Sequence, residues 1–224
     1  MHTTVDGDPT SDGSPFAVAG LIPPGAHRIA IDGVDGIGKT TYARALAAAL
    51  QAHGRPVIHL SADGFHHPRA VRYRRGRDSA DGFWLDSYDH AALVANVLAP
   101  FSPAGNRRYR TAVHDVDTDE ALDLPWHTAP PDASVVVDGL FLHRDELVDH
   151  WNFSVFLSAP FEVTVPRMAA RDGSHPDPDH PSQARYVGGQ RRYFATCEPW
   201  TRATVVIDHT DLPRPRRLSR QVYQ

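Results

Sequence analysis

The sequence is marked by one stretch, Gly33-Val34-Asp35-Gly36-Ile37-Gly38-Lys39-Thr40, followed by Thr41. It fits the pattern G-x-x-x-x-G-K-[ST] at every position, and such a loop binds phosphate through its backbone amides, its lysine and its hydroxyl. The chain has 224 residues and 23 basic residues, of which Lys39 is the single lysine. Because the planar fork of arginine replaces a flexible ammonium poorly at this position, the lone lysine supports a phosphate-binding loop.

The residues on both sides of this loop favour an α/β fold. His27 to Asp32 is a short, mainly apolar run that predicts a strand, and residues 38–53 predict a helix with Leu46 and Leu50 on one face. Further strands are predicted at 56–60, 134–138, 153–157 and 204–207, and further helices at 89–98, 161–172 and 183–197. Strands that alternate with helices predict a parallel sheet flanked by helices, joined by right-handed crossovers.

Length and composition predict one domain with a tail at each end. Residues 1–14 are polar and rich in Gly and Pro, which predicts a disordered tail that ends at residue 24, and 211–224 is a basic, Pro-containing tail. The domain is then expected over 25–210. Within it, Arg108–Thr118 and Ala121–Thr128 predict a small β-hairpin, and the Pro-rich loop that follows residue 172 predicts a mobile lid.

Charge and cysteine content exclude several classes of protein. The net charge of −4 gives no electrostatic basis for a nucleic-acid or membrane partner. No apolar run approaches the roughly 18 residues that span a bilayer. The single cysteine, Cys197, excludes an intrachain disulfide and favours a reducing compartment, so we expect a cytoplasmic protein. A homo-oligomer is compatible with these properties.

A second acidic position is predicted to hold Mg²⁺. Asp138 ends the valine-rich run Ser134–Asp138 and precedes Gly139, which is the Walker B pattern of a hydrophobic strand ending in a carboxylate. With the hydroxyl of Thr40 it would bind the metal or its waters. The alternative is a turn aspartate, since Asp-Gly is a common turn pair.

Asp63 and two arginines are candidates for the chemical step. Asp63 follows the second predicted strand, and strand ends of a parallel sheet gather at the active edge, where a carboxylate accepts a proton from a substrate hydroxyl. His66 would line the acceptor pocket beside it. Arg167 and Arg171 are four residues apart on a predicted helix and would clamp phosphate charge from the lid. The alternatives are a solvated loop aspartate and a solvated helix face.

This ordered set of residues resembles the uridine kinase branch of P-loop kinases, which includes phosphoribulokinase and pantothenate kinase. The resemblance runs from about His27 to Asp208 and implies a P-loop NTPase fold that uses ATP and Mg²⁺. Asp63-Gly64-Phe65 matches the D-x-F context of the family's catalytic base. Arg167 to Asp172 matches the R-x-x-x-R-D pattern of its lid.

The resemblance also implies how an acceptor would be bound. Asp89, in Tyr88-Asp89-His90-Ala91, would take the family's role of holding ribose hydroxyls. Tyr109 and His114 have the spacing of the pair that faces the pyrimidine base. Arg185 lies where the family has another segment that contacts the nucleoside.

Two features depart from the uridine kinase pattern. The loop at Gly36–Thr41 looks more like that of a thymidylate kinase, although the R-E-P-G and D-R-[YFH] signatures of those enzymes are absent. Five arginines also lie between Arg69 and Arg77, and arginine clusters suit phosphate or carboxylate. The alternative is a solvated loop paired with Asp78, Asp81 and Asp86.

Three hypotheses for function follow. The first is ATP-dependent phosphoryl transfer to a small-molecule hydroxyl, above all the 5′-OH of uridine or cytidine. The second keeps the kinase with an anionic acceptor: a sugar phosphate, a pantothenate-like acid, or a nucleoside monophosphate such as thymidylate. The third is a non-catalytic ATP-binding regulatory protein. A guanine-reading switch is excluded, because its [NT]-K-x-D motif needs a second lysine.

Overall fold

The computed structural model describes residues 12–219 and is built around ten strands. In chain order they are β1 (Arg28–Gly33), β2 (Val57–Ser61), β3 (Arg108–Tyr109), β4 (His114–Asp115), β5 (Glu120–Ala121), β6 (His127–Thr128), β7 (Ser134–Gly139), β8 (Phe153–Ser158), β9 (Val205–Asp208) and β10 (Arg216–Leu218).

Six of these strands form the central sheet in the order β10-β9-β8-β1-β7-β2. All neighbouring pairs are parallel except β9 and β10. The phosphate-binding loop follows β1, which pairs with β7 on one side so that Ile31 lies opposite Asp138. The predicted parallel sheet is therefore confirmed, and it places the two nucleotide motifs on adjacent strands.

Eight helices surround the sheet within the described residues. They are α1 (Pro15–Ala19), α2 (Lys39–Ala52), α3 (Arg69–Arg72), α4 (Ala80–Asp86), α5 (His90–Leu93), α6 (Phe161–Asp172), α7 (Tyr186–Cys197) and α8 (Pro199–Arg202). A π-helical turn, Val94–Leu98, continues α5. The predicted helices are confirmed to within a few residues. None of the helices in residues 12–219 combines the length and the apolarity needed to cross a bilayer.

The core lies on both faces of the sheet because side chains alternate along each strand. Val135 and Val137 pack on one face, and Val136 packs on the other with Leu46 and Leu50 of α2. All five side chains are almost fully buried. Helix α2 is thus fixed on the sheet with its first turn at the edge where β1 and β7 end.

The first segment differs from the predicted disordered tail. Residues 12–24 include α1, whose N-cap Ser14 accepts a hydrogen bond from the backbone N–H of Ala17. Val18 and Ile22, spaced four apart, are buried in the same cluster as α2. The tail prediction was wrong here because this short apolar spacing buries enough surface to order the segment. Residues 1–11 lie outside the described part of the chain.

The last segment also differs from its prediction. Residues 211–219 were predicted as tail, but β10 lies within them and pairs antiparallel with β9. Arg216 donates a hydrogen bond to Asp208 at 2.8 Å, which fixes the register of this edge. Residues 220–224 lie outside the described part.

The predicted hairpin is confirmed, although it is interrupted. Strand β3 pairs with β6 and β4 pairs with β5, each antiparallel and two residues long. Tyr109 lies opposite His127, and His114 lies opposite Ala121.

His90, the first residue of α5, is expected to make the fold sensitive to acid. Burial, with Arg144 nearby, lowers the pKa of His90 from 6.5 to about 3. Between these values the unfolded chain binds a proton that the folded chain does not, so stability falls as pH decreases from about 6.5 towards 3. His90→Asn should reduce this slope by up to about 1.4 kcal/mol per pH unit.

Urea unfolding at several pH values between 7 and 4 measures this slope. His53→Asn, at an exposed position after α2, is the control substitution. An unchanged acid slope in His90→Asn would contradict the prediction.

Candidate active site

The loop between β1 and α2 has a conformation that requires glycine at two positions. Gly36 and Gly38 have φ of 73° and 94°, in the left-handed region. A Cβ at Gly36 would lie 2.2 Å from the carbonyl oxygen of Thr164 in α6, so only glycine fits there. Gly38 is the N-cap of α2, and the helix N-terminus supplies the positive potential that phosphate needs.

The polar side chains of the loop contact each other and β7. Lys39 Nζ donates a hydrogen bond to the carbonyl of Val34 at 2.9 Å. The hydroxyl of Thr40 donates to Asp138 Oδ2 at 2.7 Å. The two residues predicted to hold the metal are therefore in contact, and they present oxygen atoms, which Mg²⁺ prefers.

The cavity at this loop has a volume of about 280 Å³ and brings the predicted donor-side residues together. Asp35, Gly36 and residues 38–41 line it from the loop. Asp63, Asp138, Arg167 and Arg171 line it from other elements. Val34 and Ile37, also predicted for the loop, are buried in the core beneath it, and Gly33 ends β1.

The two arginines of α6 differ in how they are held. Arg167 donates to the carbonyls of His209 and Thr210, at 3.2 and 2.5 Å, and is thereby tied to the segment after β9. Arg171 is exposed and donates to Asp172 at 3.2 Å. Arg167 is thus held by backbone carbonyls and Arg171 by an exposed side chain, and both line the cavity.

A second cavity, of about 620 Å³, adjoins the first and shares Asp35, Asp63 and Arg171 with it. Phe83 of α4 and Tyr186 of α7 line its far side. Asp63 therefore lies between the phosphate-binding cavity and a larger, partly aromatic one.

The neighbours of Asp63 fix its position. The hydroxyl of Tyr88 donates a hydrogen bond to Asp63 Oδ1 at 3.1 Å. Burial, together with the nearby charge of Asp63, raises the pKa of Tyr88 well above 10. His66 donates from Nδ1 to the carbonyl of Asp63 at 2.8 Å and packs against the ring of Tyr88. Burial lowers the pKa of His66. Both rings line the second cavity, as was predicted for His66 and missed for Tyr88.

Four predicted acceptor residues have other partners, and none of the four lines either of the two cavities described above. Asp89 accepts a hydrogen bond from the backbone N–H of Ala92 and caps α5. His114 is buried and contacts Asp119 at 3.1 Å.

The other two are Tyr109 and Arg185. Tyr109 packs against the rings of Phe101 and His127. Arg185 is buried, with its guanidinium over the ring of Tyr73, and burial lowers its pKa. Acceptor binding by these four residues stays a prediction, because their side chains do not line either of the two cavities.

Three arginines of the segment 69–77 are paired with carboxylates of the protein. Arg74 and Arg75 both donate to Asp86, at 2.5 and 2.8 Å, and the hydrogen bond from Arg74 lowers the pKa of that carboxyl. Arg72 contacts Asp119 at 3.3 Å. The lining of both cavities, taken over the described residues, does not include these arginines.

Comparison with known proteins finds similarity to kinases. No protein-family model matches the chain. A thymidylate kinase of Xanthomonas oryzae pv. oryzae (strain PXO99A) is 33% identical over 130 residues, which cover 51% of this chain and 57% of that protein. The match thus spans little more than half the length of this curated relative.

Solved structures extend the comparison to most of the chain. A structure described as a possible uridine kinase from Bacillus stearothermophilus has a TM-score of 0.66 at 23% identity, and covers 84% of this chain and 94% of that one. The chain has a P-loop kinase fold. Phosphoribulokinase from Rhodobacter spheroides shares the P-loop kinase fold, with a TM-score of 0.55 at 12% identity over 82% of this chain and 70% of that one. The predicted resemblance is confirmed for the fold.

Proposed function

We propose that the protein transfers the γ-phosphoryl group of ATP to a hydroxyl of a small molecule. The observation that carries this proposal is the position of Asp63. It lines the cavity of the phosphate-binding loop and also the adjoining cavity, so a hydroxyl in the second cavity can meet a phosphate in the first.

Several residues of the first cavity have distinct roles in this reaction. Lys39 and the loop amides hold the phosphates, and Thr40 and Asp138 would hold Mg²⁺, which neutralises phosphate charge. The oxygen of the acceptor hydroxyl bonds to the γ-phosphorus, and Asp63 takes the proton of that hydroxyl. The bond between the γ-phosphorus and the β–γ bridging oxygen breaks, so ADP is the leaving group. Arg167 and Arg171 stabilise the charge on the transferring group.

The second cavity supports an uncharged acceptor with a flat apolar face, and we propose the 5′-OH of uridine or cytidine. Phe83, Tyr88 and Tyr186 give the cavity an aromatic lining. Its carboxylates, Asp63 among them, outnumber the single guanidinium of Arg171, which disfavours an anion. Three of the five arginines that motivated an anionic acceptor, Arg72, Arg74 and Arg75, are instead paired with Asp119 and Asp86.

A coupled assay of ADP release with purified protein tests the proposal. The panel contains uridine, cytidine, thymidine, thymidylate, pantothenate and a sugar phosphate, each with ATP and Mg²⁺. Turnover with the pyrimidine nucleosides is expected. Turnover with the anions alone would overturn the acceptor assignment, and ATP binding without turnover on any acceptor would favour the regulatory hypothesis.

Neutralising Arg74 and Arg75 together is expected to leave the acceptor KM nearly unchanged. Their partner Asp86 would lose its hydrogen bonds while its side chain is only 1% exposed, so Arg74→Gln/Arg75→Gln should lower the free energy of unfolding by about 1–3 kcal/mol. Arg171→Gln is the comparison, because it lines both cavities and should weaken catalysis with little loss of stability. A large rise in acceptor KM in the double variant would revive the anionic acceptor.

A further inference from the structure

His59 is a polar residue in the middle of β2 that contacts the Walker B carboxylate. In the parallel register of β2 and β7, His59 lies opposite Val136 and Ser61 lies opposite Asp138. Side chains alternate along a strand, so His59 is on the same face of the sheet as Val136 and Asp138. This is the face that α2 covers, and α2 carries Thr40 in its first turn.

The contact occupies one oxygen of Asp138 and leaves the other to Thr40. His59 Nε2 donates to Asp138 Oδ1 at 2.6 Å, and the Thr40 hydroxyl donates to Oδ2 at 2.7 Å. The Asp138 side chain is 3% exposed and that of His59 is 20% exposed. Two hydrogen bonds on opposite oxygens fix the rotation of this carboxylate.

We propose that His59 is a positioning residue for the divalent metal. Its N–H holds Oδ1, so that Oδ2 stays beside the Thr40 hydroxyl and is the oxygen available to the metal or its waters. The proposal rests on the proposed function only in taking Thr40 and Asp138 as the metal-binding pair. Hydrogen-bond partners of metal-binding carboxylates typically change metal affinity by about 10–100-fold when removed.

Two substitutions separate positioning from a merely structural role. His59→Leu fills the space but donates no hydrogen bond, whereas His59→Gln keeps an N–H donor on a side chain of similar reach. His53→Leu, at the exposed C-terminal end of α2, is the control. The binding of a trace fluorescent ATP analogue is followed as Mn²⁺ is titrated, with no acceptor present, and again in EDTA. Thermal unfolding is measured without metal.

In His59→Leu, the Mn²⁺ concentration for half-maximal metal-dependent binding should rise by about 10–100-fold. Binding in EDTA should stay unchanged, and His59→Gln should recover most of the loss. A wild-type Mn²⁺ midpoint in His59→Leu would overturn the proposal. Equal losses of Mn²⁺ affinity in His59→Leu and His59→Gln, together with equal losses of thermal stability, would overturn it as well. The proposal would also be overturned if nucleotide binding by the wild type did not depend on the Mn²⁺ concentration.

The readout is independent of phosphoryl transfer. If the wild type transfers phosphate to no acceptor yet shows the expected metal midpoints, the proposed function fails and the role of His59 stands. If transfer occurs and the midpoints do not move, His59 has no positioning role and the proposed function stands.

Discussion

Asp63→Asn is expected to lower kcat by about 10²–10⁴-fold, which is the usual worth of a positioned general base. Asparagine keeps the shape of the side chain and can still accept the hydrogen bond from Tyr88, but it cannot take the proton of an acceptor hydroxyl. The KM for ATP should change little, because the proposed mechanism assigns the phosphates to the loop and Lys39. Steady-state assays with uridine and with ATP as the varied substrate measure both effects.

Asp123→Asn is the matched control for this change. Asp123 is exposed on the hairpin and pairs with Arg110, so the same change of charge there should leave kcat unaltered. If Asp63→Asn retained near wild-type kcat, Asp63 would not be the base and the transfer mechanism would need another proton acceptor.

Gly36→Ala is expected to destabilise the protein by about 2–5 kcal/mol, from the cost of a left-handed alanine together with that of forced repacking. The added methyl would meet the Thr164 carbonyl oxygen at 2.2 Å, so the loop or α6 must move. Because α6 carries Arg167 and Arg171, either movement should also weaken ATP binding and transfer.

Gly54→Ala separates the two causes. Gly54 has a similar φ of 78°, but a Cβ there meets nothing within 4 Å. This control should cost only the left-handed strain, about 1–2 kcal/mol, with nucleotide binding unchanged. Urea unfolding and titration of an ATP analogue compare the variants. Equal stability losses at the two glycines would show that the loop can yield to α6 without strain.

The donor side of the site could be predicted from sequence because its residues are set by local pattern. The loop motif fixes Gly36 to Thr40, and a valine strand ending in Asp138 predicts its neighbour. Both lie where a parallel sheet collects its strand ends. His59 shows the limit of this reasoning. The sequence shows a polar residue inside an apolar strand, but it does not show that Asp138 is its partner, because the register of β2 against β7 determines that contact.

On the acceptor side, the predicted residues have competing partners within the protein. His114 and Arg72 both contact Asp119, and Asp89 accepts a hydrogen bond from the backbone of the helix that it caps. The contact between Arg72 and Asp119 joins α3 to the hairpin, and sequence spacing alone does not determine it. The ordered segment at residues 12–24 was missed because α1 has five residues, too few for a periodic pattern to stand out.

The two ends of the described chain meet at one edge of the molecule. The backbone N–H of Gly13 donates to the carbonyl of Pro215 at 3.0 Å, and Asp12 forms a bridge with Arg216. Tyr42 of α2 also donates its hydroxyl proton to the carbonyl of Gly13. The described part of the chain is thus closed almost into a ring, because residues 12 and 13 are joined to residues 215 and 216. A covalent join at this seam would preserve the native topology, and the chain could then be opened elsewhere without disturbing the nucleotide loop.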